Sequence, residues 1–402
     1  MTSFLVSTVR RHTPLTEPSG YLYAIDLDSH QVLQRSDIIE PAYRGLDPNP
    51  RGGMRGSKGI SVRHDQIAIA NSMIVFRYDP MWNLLGFTTH PSCAGIHDIL
   101  LHDDALWVTS ARTDILFQFD LDGKLIKHYD VREIASSLKS LNWNPPLTMK
   151  ARKIQEGSID FRDPRTHREE ETDNAHVNSL VLLPDGSCLI SLGFIIGKDY
   201  AKLMSVKKSM IRLGIWPLIL DVNRRALRFI EKRENHLDNA LVVKPAKAQS
   251  VVVRISPNGE QSLCLVLTNM DAPSHSLQVL SDNSVIYLNT TSGTVIHFEP
   301  NSGEILSSTK VTNGFLRGVT ILSNRFLLLG SNGQLITLDI TSQRVVDQFT
   351  ISYDPNESVY DVKELPLNYA LPPQSLAEHF TQTTGYKDAE SLINTTKSHD
   401  PS

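Results

Sequence analysis

The sequence predicts an all-β fold, a six-bladed β-propeller. Three observations predict it: a three-residue motif that recurs six times, a spacing of about 40 residues between most copies, and strand-forming segments at both chain ends. Each copy has a variable polar or charged residue, then a small or acidic residue, then an aliphatic one. The copies are Lys58-Gly59-Ile60, His97-Asp98-Ile99, Asn178-Ser179-Leu180, His275-Ser276-Leu277, Arg317-Gly318-Val319 and Tyr360-Asp361-Val362. We interpret each as the innermost strand of one blade.

The unit that begins at His97 shows the blade pattern most clearly. Four short apolar segments follow one another, at His97–Leu101, Ala105–Thr109, Ile115–Leu121 and Leu125–Val131. Four strands with turns between them, in about 40 residues, are typical of a propeller blade. Similar series follow the motifs at Lys58, His275 and Arg317.

The spacings of the motifs predict where the chain carries insertions. Lys58 and His97 are 39 residues apart, and Arg317 and Tyr360 are 43 apart. The gaps on either side of Asn178 are 81 and 97 residues, so each equals one period plus an insertion. We expect the first at about 136–173, in a Pro-rich charged stretch. The second, at about 197–248, is expected to be partly helical and to interrupt the Asn178 blade.

The two chain ends predict the closure of the ring. Phe4–Val9, Tyr21–Leu27 and Val32–Ile39 are three strands without an innermost strand, and Tyr360–Leu365 is an innermost strand with nothing after it. One blade built from both ends removes the open edges of the array. The propeller is therefore expected at 1–366, followed by a tail, 367–402, that is largely disordered except for a helical turn near Leu376–Phe380.

Composition excludes several classes of protein. A formal net charge of −4 argues against a dedicated nucleic-acid binder. Three cysteines at unrelated spacings suit a reducing compartment, and we expect a cytoplasmic protein without a signal peptide or a transmembrane segment. Neither a Walker loop nor a dinucleotide fingerprint is present, so no nucleotide cofactor is expected.

Blade topology predicts that the six variable residues meet. Because neighbouring strands are antiparallel, the start of the first strand and the link from the second to the third lie on the same face of the disc. The six variable residues and both insertions should therefore gather at one mouth of the central channel. One such polar residue is more often structural, but six side chains able to bind strongly favour a ligand site.

Three histidines form a candidate metal site. His97 and His275 share one register, and His176 lies two residues before Asn178, on the same side of its strand. Three imidazoles can hold a divalent metal (Zn, Fe or Ca are the candidates) and leave a coordination position open. The alternatives are His97 as a general base, or histidines that only form hydrogen bonds. Asn178 is expected to bind substrate or orient the rings.

Two cations at the same mouth indicate a small anionic substrate. Arg317 suits bidentate binding of an acid group, and Lys58 adds a point charge. The basic Gly-rich loop Arg51–Ser57 is either an anion cradle or an ordinary turn. Tyr360 is a candidate general acid or base if nearby cations lower its pKa, and a stacked channel aromatic otherwise.

The second insertion is basic. Residues 197–248 contain 12 Lys/Arg and 5 Asp/Glu. The interpretations are a lid, a homodimer contact, a surface for anionic lipid, or a helix packed on the disc with its charges in water. We favour the lid or the homodimer contact.

The motifs His97-Asp98-Ile99 and His176-Val177-Asn178-Ser179-Leu180 resemble those of uncharacterised bacterial propeller proteins. Over about residues 3–366 the architecture resembles the NHL-like six-bladed propellers, which include gluconolactonase, strictosidine-synthase-like and peptidyl-amidoglycolate lyase families. In that lyase family, histidines from several inner strands hold a metal beside an Arg and a Tyr. The resemblance implies this role for His97, His176, His275, Arg317 and Tyr360. The insertions and the absence of disulfides depart from that secreted family.

These observations predict an enzyme that acts on a small anionic substrate at the channel mouth. The catalytic candidates are His97, Tyr360 and Arg317, and the substrate-binding candidates are Lys58, Asn178 and Arg317. Lyase, isomerase or hydrolase chemistry is expected, with a His-bound metal or a His base. The alternative is a non-catalytic propeller whose top face binds a protein or a glycan.

Overall fold

A computed structural model describes residues 2–47, 54–138, 141, 159–166, 173, 175–195, 213–214, 248–270 and 272–397. Within these residues the chain forms six antiparallel sheets of four strands each. The first twelve strands are β1 (Ser3–Arg10), β2 (Tyr21–Asp26), β3 (Gln31–Asp37), β4 (Ile60–Val62), β5 (Ile67–Ala70), β6 (Ile74–Tyr78), β7 (Leu84–Thr89), β8 (Ile96–His102), β9 (Ala105–Ser110), β10 (Ile115–Asp120), β11 (Leu125–Asp130) and β12 (Val177–Leu182). The other twelve are β13 (Cys188–Ile195), β14 (Ala248–Ile255), β15 (Gln261–Met270), β16 (His275–Val279), β17 (Val285–Asn289), β18 (Thr294–Phe298), β19 (Ile305–Lys310), β20 (Leu316–Ile321), β21 (Phe326–Ser331), β22 (Gln334–Asp339), β23 (Arg344–Thr350) and β24 (Glu357–Leu365).

The six sheets are the blades of the predicted propeller. We number them by innermost strand: blade 1 is β4–β7, blade 2 β8–β11, blade 3 β12–β15, blade 4 β16–β19 and blade 5 β20–β23. Blade 6 has the order β24-β1-β2-β3, so it combines the two ends of the chain. Val6 pairs with Val362, and Ser3 with Leu365. The predicted six-bladed fold and its closure are confirmed.

The hydrophobic core is divided among the interfaces between blades. Each of six clusters joins two neighbouring blades; one, for example, packs Leu189 and Val252 of blade 3 against Val285 and Tyr287 of blade 4. Such clusters arise because the middle strands carry apolar side chains on both faces and are buried between two sheets. The central channel is consequently lined by the innermost strands alone.

The innermost strands are bulged at the motif. In blade 3, Val177 and Ser179 pair with the consecutive residues Leu192 and Ser191, so Asn178 is left out of the ladder. Similar shifts occur in blades 2, 4, 5 and 6. A bulge bends the strand and re-aims a side chain. The bulges therefore turn the motif residues toward the channel.

The second residue of the motif joins neighbouring blades where it is Asp98 or Asp361. Asp98 accepts hydrogen bonds from the Ser179 hydroxyl (2.8 Å) and the Leu180 N–H of blade 3. Asp361 accepts from the Ile60 N–H of blade 1 at 2.9 Å. Burial and the charge of Asp361 raise the pKa of Asp98 to about 6. These side chains hold the inner ring together.

The tail differs from the expectation of disorder. Helix α1 (Val131–Ser137) follows blade 2, and the tail forms α2 (Leu376–Thr384) and α3 (Ala389–Lys397). Phe380, Leu392 and Ile393 are fully buried against blades 6 and 1. The helical turn predicted near Leu376–Phe380 lies within α2. The disorder expected for the rest of the tail is not found in residues 367–397, because these helices present apolar side chains to a blade interface.

Only parts of the two predicted insertions belong to the described residues. Segment 159–166 of the first is fixed where Phe161, which is fully buried, donates its N–H to the Pro91 carbonyl at 2.7 Å. The predicted partly helical insertion at 197–248, and with it the predicted lid or homodimer contact, lies almost wholly outside the described residues. No helix in the described part of the chain is long and apolar enough to cross a membrane.

Candidate functional site

The predicted site residues gather at one end of the channel. We call this end, where the innermost strands begin, the top face. A cavity of about 270 Å³ opens there. Six of the seven predicted residues line it: Lys58, His97, His176, His275, Arg317 and Tyr360. Asn178 lies at the narrow neck beneath, a space of about 20 Å³ that it shares with His97, His275, Arg317 and Tyr360.

Three imidazoles form the floor of the cavity. The rings of His97 and His275 are nearly parallel, with centres 5.5 Å apart. His176 meets both edge-on, with ring centres 4.7 Å from His97 and 6.0 Å from His275. One nitrogen from each ring lies within 4.8 Å of the other two. The structure thus places three histidines from blades 2, 3 and 4 side by side, the group that their shared register had suggested.

In two of the three rings, Nδ1 forms a hydrogen bond to a neighbouring side chain, which leaves Nε2 available to a ligand. Nδ1 of His176 lies 2.8 Å from the Asp173 carboxylate, which accepts the hydrogen bond. In the neutral ring, Nδ1 therefore carries the proton and Nε2 keeps its lone pair. Nδ1 of His275 lies 2.9 Å from the Thr290 hydroxyl, which can accept in the same way. Burial, with nearby cations, lowers the pKa of His275 well below its ordinary value. A neutral ring with one free lone pair is the form that binds a metal.

The third ring is held differently. Nη2 of Arg317 lies 2.8 Å from Nδ1 of His97. A guanidinium only donates, so Nδ1 of His97 accepts and, in the neutral ring, Nε2 carries the proton. Burial lowers the pKa of His97 well below its usual range and that of Arg317 to about 10, so His97 is neutral and Arg317 charged near pH 7. In this arrangement His97 can donate its Nε2–H to a ligand but cannot act as a base.

Tyr360 is a stacked aromatic with a protonated hydroxyl. The Arg317 guanidinium carbon lies 3.5 Å from the centre of its ring, and Nζ of Lys58 lies 5.7 Å from it. Burial raises the pKa of Tyr360 well above its ordinary value, and the opposing effect of Arg317 is smaller. The lowered pKa on which the general acid or base role of Tyr360 was made conditional is therefore not found. Tyr360 stays an O–H donor at neutral pH.

Two buried polar atoms at the neck have no hydrogen-bond partner among the described residues. They are the Tyr360 hydroxyl and Oδ1 of Asn178. Nδ2 of Asn178 donates to the Ser274 carbonyl at 2.5 Å, so Asn178 fixes the backbone before His275 and does not bond to a ring. Buried polar atoms are normally satisfied. This donor and this acceptor are therefore candidates for ligand contacts.

The three histidines fit a divalent metal on the condition that His97 loses its hydrogen bond to Arg317. Tetrahedral Zn²⁺ with bonds of about 2.0–2.1 Å places its ligand atoms about 3.4 Å apart. The ligand nitrogens here lie within 4.8 Å of one another, so all three rings can face one ion. His176 and His275 can offer Nε2 as they stand. His97 can bind through a neutral nitrogen only if Arg317 gives up its hydrogen bond.

Several residues of the site were not predicted from the sequence: Arg11, Arg112, Asp173 and Phe315 line the cavity. Arg55, which belongs to the predicted basic Gly-rich loop, lines it as well. Arg11 follows β1, Arg55 precedes β4, and Arg112 lies between β9 and β10. All three connections are on the top face by the antiparallel argument that placed the motif residues. The topology could have identified them.

The first part of the Gly-rich loop, residues 51–53, lies outside the described residues. The described part contributes Arg55, whose Nη1 donates to the Thr13 carbonyl at 2.9 Å. Of the described residues of this predicted anion-binding loop, Arg55 is the one that lines the cavity.

Comparison with known proteins shows similarity of fold. No protein-family model matches the sequence, and a search of curated proteins gives no significant match. Among solved structures, virginiamycin B lyase from Staphylococcus aureus is 11% identical with a TM-score of 0.41, over 74% of this chain and 71% of that one. A putative gluconolactonase is 11% identical with a TM-score of 0.42, over 76% and 80%. A protein of unknown function from Bacteroides caccae is 9% identical with a TM-score of 0.49, over 90% and 98%.

The six four-stranded sheets show the six-bladed propeller architecture that the predicted resemblance to NHL-like propellers implied. At such identities and TM-scores the similarity does not extend to activity. The chemistry of this protein has to be argued from its own side chains.

Proposed function

We propose that the protein is an enzyme that binds a small anionic substrate in the top-face cavity and carries out lyase, isomerase or hydrolase chemistry there. One observation carries the proposal: three imidazoles converge within 4.8 Å on the floor of a cavity whose wall holds Arg317 and Lys58. A divalent metal at His97, His176 and His275 is part of the proposal. Such a metal would supply Lewis acidity beside the bound substrate.

The other polar groups have separate roles in this proposal. Arg317 and Lys58 bind an acid group of the substrate, because both are cationic and face the Tyr360 ring from within 6 Å. The unpartnered Tyr360 hydroxyl donates to the substrate, and Oδ1 of Asn178 accepts from it. His97 holds a proton on Nε2 while Arg317 is bonded to Nδ1.

In this proposal the candidate general base is His176 and no longer His97. His176 is paired with Asp173 through Nδ1, which leaves Nε2 free to accept a proton. A carboxylate that orients an imidazole in this way is the arrangement used by general bases. If no metal is bound, we propose His176 as the base and His97 as a neutral donor.

The shape of the site favours a small molecule over a protein or a glycan. A binding face for a macromolecule needs a broad exposed surface, whereas these side chains converge on a concave space of about 270 Å³. Binding of a protein or glycan remains the alternative function. A cytoplasmic location is also a proposal, supported by three buried cysteines that are all unpaired.

Elemental analysis tests the metal directly. Wild type grown with a full metal supply should carry close to one divalent ion per chain, lost on chelation. His97→Ala and His275→Ala should bind metal at least about tenfold more weakly, with melting temperatures close to wild type, because the core lies between the blades. His102→Ala is the matched control, since His102 is exposed at the opposite end of the same strand.

Metal-free wild type would remove the metal from the proposal and leave the His176–Asp173 pair as the catalytic candidate. If the two variants retained metal as tightly as His102→Ala, the ion would lie elsewhere.

A further inference from the structure

The wall of the top-face cavity has a charged part and an apolar part. Besides the predicted site residues, the charged side chains of the described lining belong to blades 6, 1, 2 and 3 or to the connections into them: Arg11, Arg55, Arg112 and Asp173. The connections into blades 4 and 5 add only Ala272, Pro273 and Phe315 to this described lining. One side of the cavity is therefore apolar above the level of the motif residues.

Phe315 lies on the same side of the chain as Arg317. Leu316, between them, is fully buried in the core between blades 4 and 5, whereas Phe315 and Arg317 both line the cavity. Such alternation is the ordinary geometry of extended chain, in which two residues span about 7 Å. One small molecule can therefore contact the Phe315 ring and the Arg317 guanidinium together.

The Phe315 ring is held at the cavity wall by two neighbours. Its centre lies 6.2 Å from that of the His275 ring, and the Arg11 guanidinium carbon lies 5.5 Å from it. Phe315 is still only partly buried, as are Ala272 and Pro273. Apolar surface that faces a cavity is stabilised when an apolar group covers it. This side of the cavity thus favours an apolar part of a ligand.

We infer that the substrate is a small acid that bears a compact apolar group. This inference rests on the proposed function. The acid group binds Arg317 and Lys58, and the apolar group packs against Phe315, with Ala272 and Pro273 beside it. Phe315 is then a specificity-determining residue, because it selects the apolar group and leaves recognition of the acid to the cations.

Three probes test the inference by titration calorimetry of the full chain at neutral pH. Phenylacetate has both groups, acetate has the acid alone, and phenylacetamide has the ring with a neutral amide. Wild type should bind phenylacetate about tenfold or more tightly than acetate, because the ring covers apolar surface. It should also bind phenylacetate about tenfold or more tightly than phenylacetamide, because the amide lacks the charge that Arg317 recognises.

Variants assign the two contacts. Phe315→Ala should weaken phenylacetate binding about fivefold or more, because apolar contact area is lost. It should keep the preference for phenylacetate over phenylacetamide, which shows that the acid site is still folded. Phe315→Leu retains an apolar side chain and should retain most of the affinity. Arg317→Gln should weaken both acids. Phe349→Ala is the matched control, since it removes the same ring from β23, the outermost strand of the same blade, and should change nothing.

Equal binding of phenylacetate and acetate, still dependent on Arg317, would overturn the inference and leave the proposed anion site intact. Equal binding of phenylacetate and phenylacetamide would contradict the anion site itself. If wild type binds neither acid at millimolar concentration, both proposals fail. Phenylacetate affinity that is unchanged in Phe315→Ala would exclude Phe315 as the apolar contact.

Discussion

At the scale of single residues, the hydrogen bond between Arg317 and His97 decides the chemistry of both. While it is made, His97 has no free lone pair and one arm of Arg317 is occupied. A metal bound by a neutral His97 requires that bond to break, which would release the guanidinium toward an acid group. Metal and substrate binding are therefore expected to support each other.

Tyr360 provides a residue-scale prediction. Its hydroxyl is buried and has no hydrogen-bond partner among the described residues. Tyr360→Phe should therefore leave the free energy of unfolding within about 1 kcal/mol of wild type, because no protein contact is lost. Ligand affinity or turnover should fall, because the donor is lost. Thermal melting and ligand titration check the two halves.

Tyr23→Phe is the control for this prediction. The Tyr23 hydroxyl donates to Glu357 at 3.0 Å, so its loss should cost stability without affecting the cavity. A Tyr360→Phe protein that binds and turns over ligand like wild type would show that the hydroxyl has no part in function.

At the scale of the strand, the motif of blade 5 has a glycine at its second position because the next blade lies against it. Gly318 has φ of +76°, and an added Cβ would lie 2.9 Å from Cα of Asp361 in blade 6. In blade 4 the equivalent Ser276 accepts the same left-handed backbone with φ of +63°. The Ser276 side chain also links blades 4 and 5, since its hydroxyl accepts a hydrogen bond from the Gly318 N–H at 3.1 Å.

Gly318→Ala should destabilise the fold by about 1–3 kcal/mol, from backbone strain together with the close contact. Gly259→Ala is the control, because Gly259 has φ of +88° but nothing within 4 Å of the added Cβ. Chemical denaturation measures the loss of stability in each variant. The difference between the two losses gives the cost of the close contact apart from that of the backbone strain. Equal losses of stability would show that the approach of blade 6 is unimportant.

The inner strands were predictable because their pattern is local. Each motif repeats the same order of side chains, so the register of His97, His275 and Arg317 followed from the sequence alone. The hydrogen bond from Arg317 to His97 joins blades 5 and 2 across the channel. It depends on side-chain rotamers that no spacing encodes. Of the tail helices, only a turn near Leu376–Phe380 was predicted, because Phe380 and Leu392 become core residues only against blades 6 and 1.

At the scale of the whole molecule, blade 6 closes the ring. β1 is the second strand of that blade, and its middle six residues are buried. Deleting residues 1–12 should lower the melting temperature strongly, because the lost side chains include Leu5 and Val6 and each buried aliphatic contributes about 2–5 kcal/mol. Deleting residues 1–2, which leaves β1 intact, should have little effect. If both truncations melt like the full chain, the closure does not stabilise the ring.

The closing strand also sets the order in which the site can appear during synthesis. β1 is translated before the other strands of the ring but can find its partner β24 only after residues 357–365 have been translated. Tyr360, which stacks on Arg317, belongs to that late strand. A nascent chain would thus carry the three imidazoles without the complete pocket around them. Under the proposed function, ligand binding can begin only after the last blade has been translated.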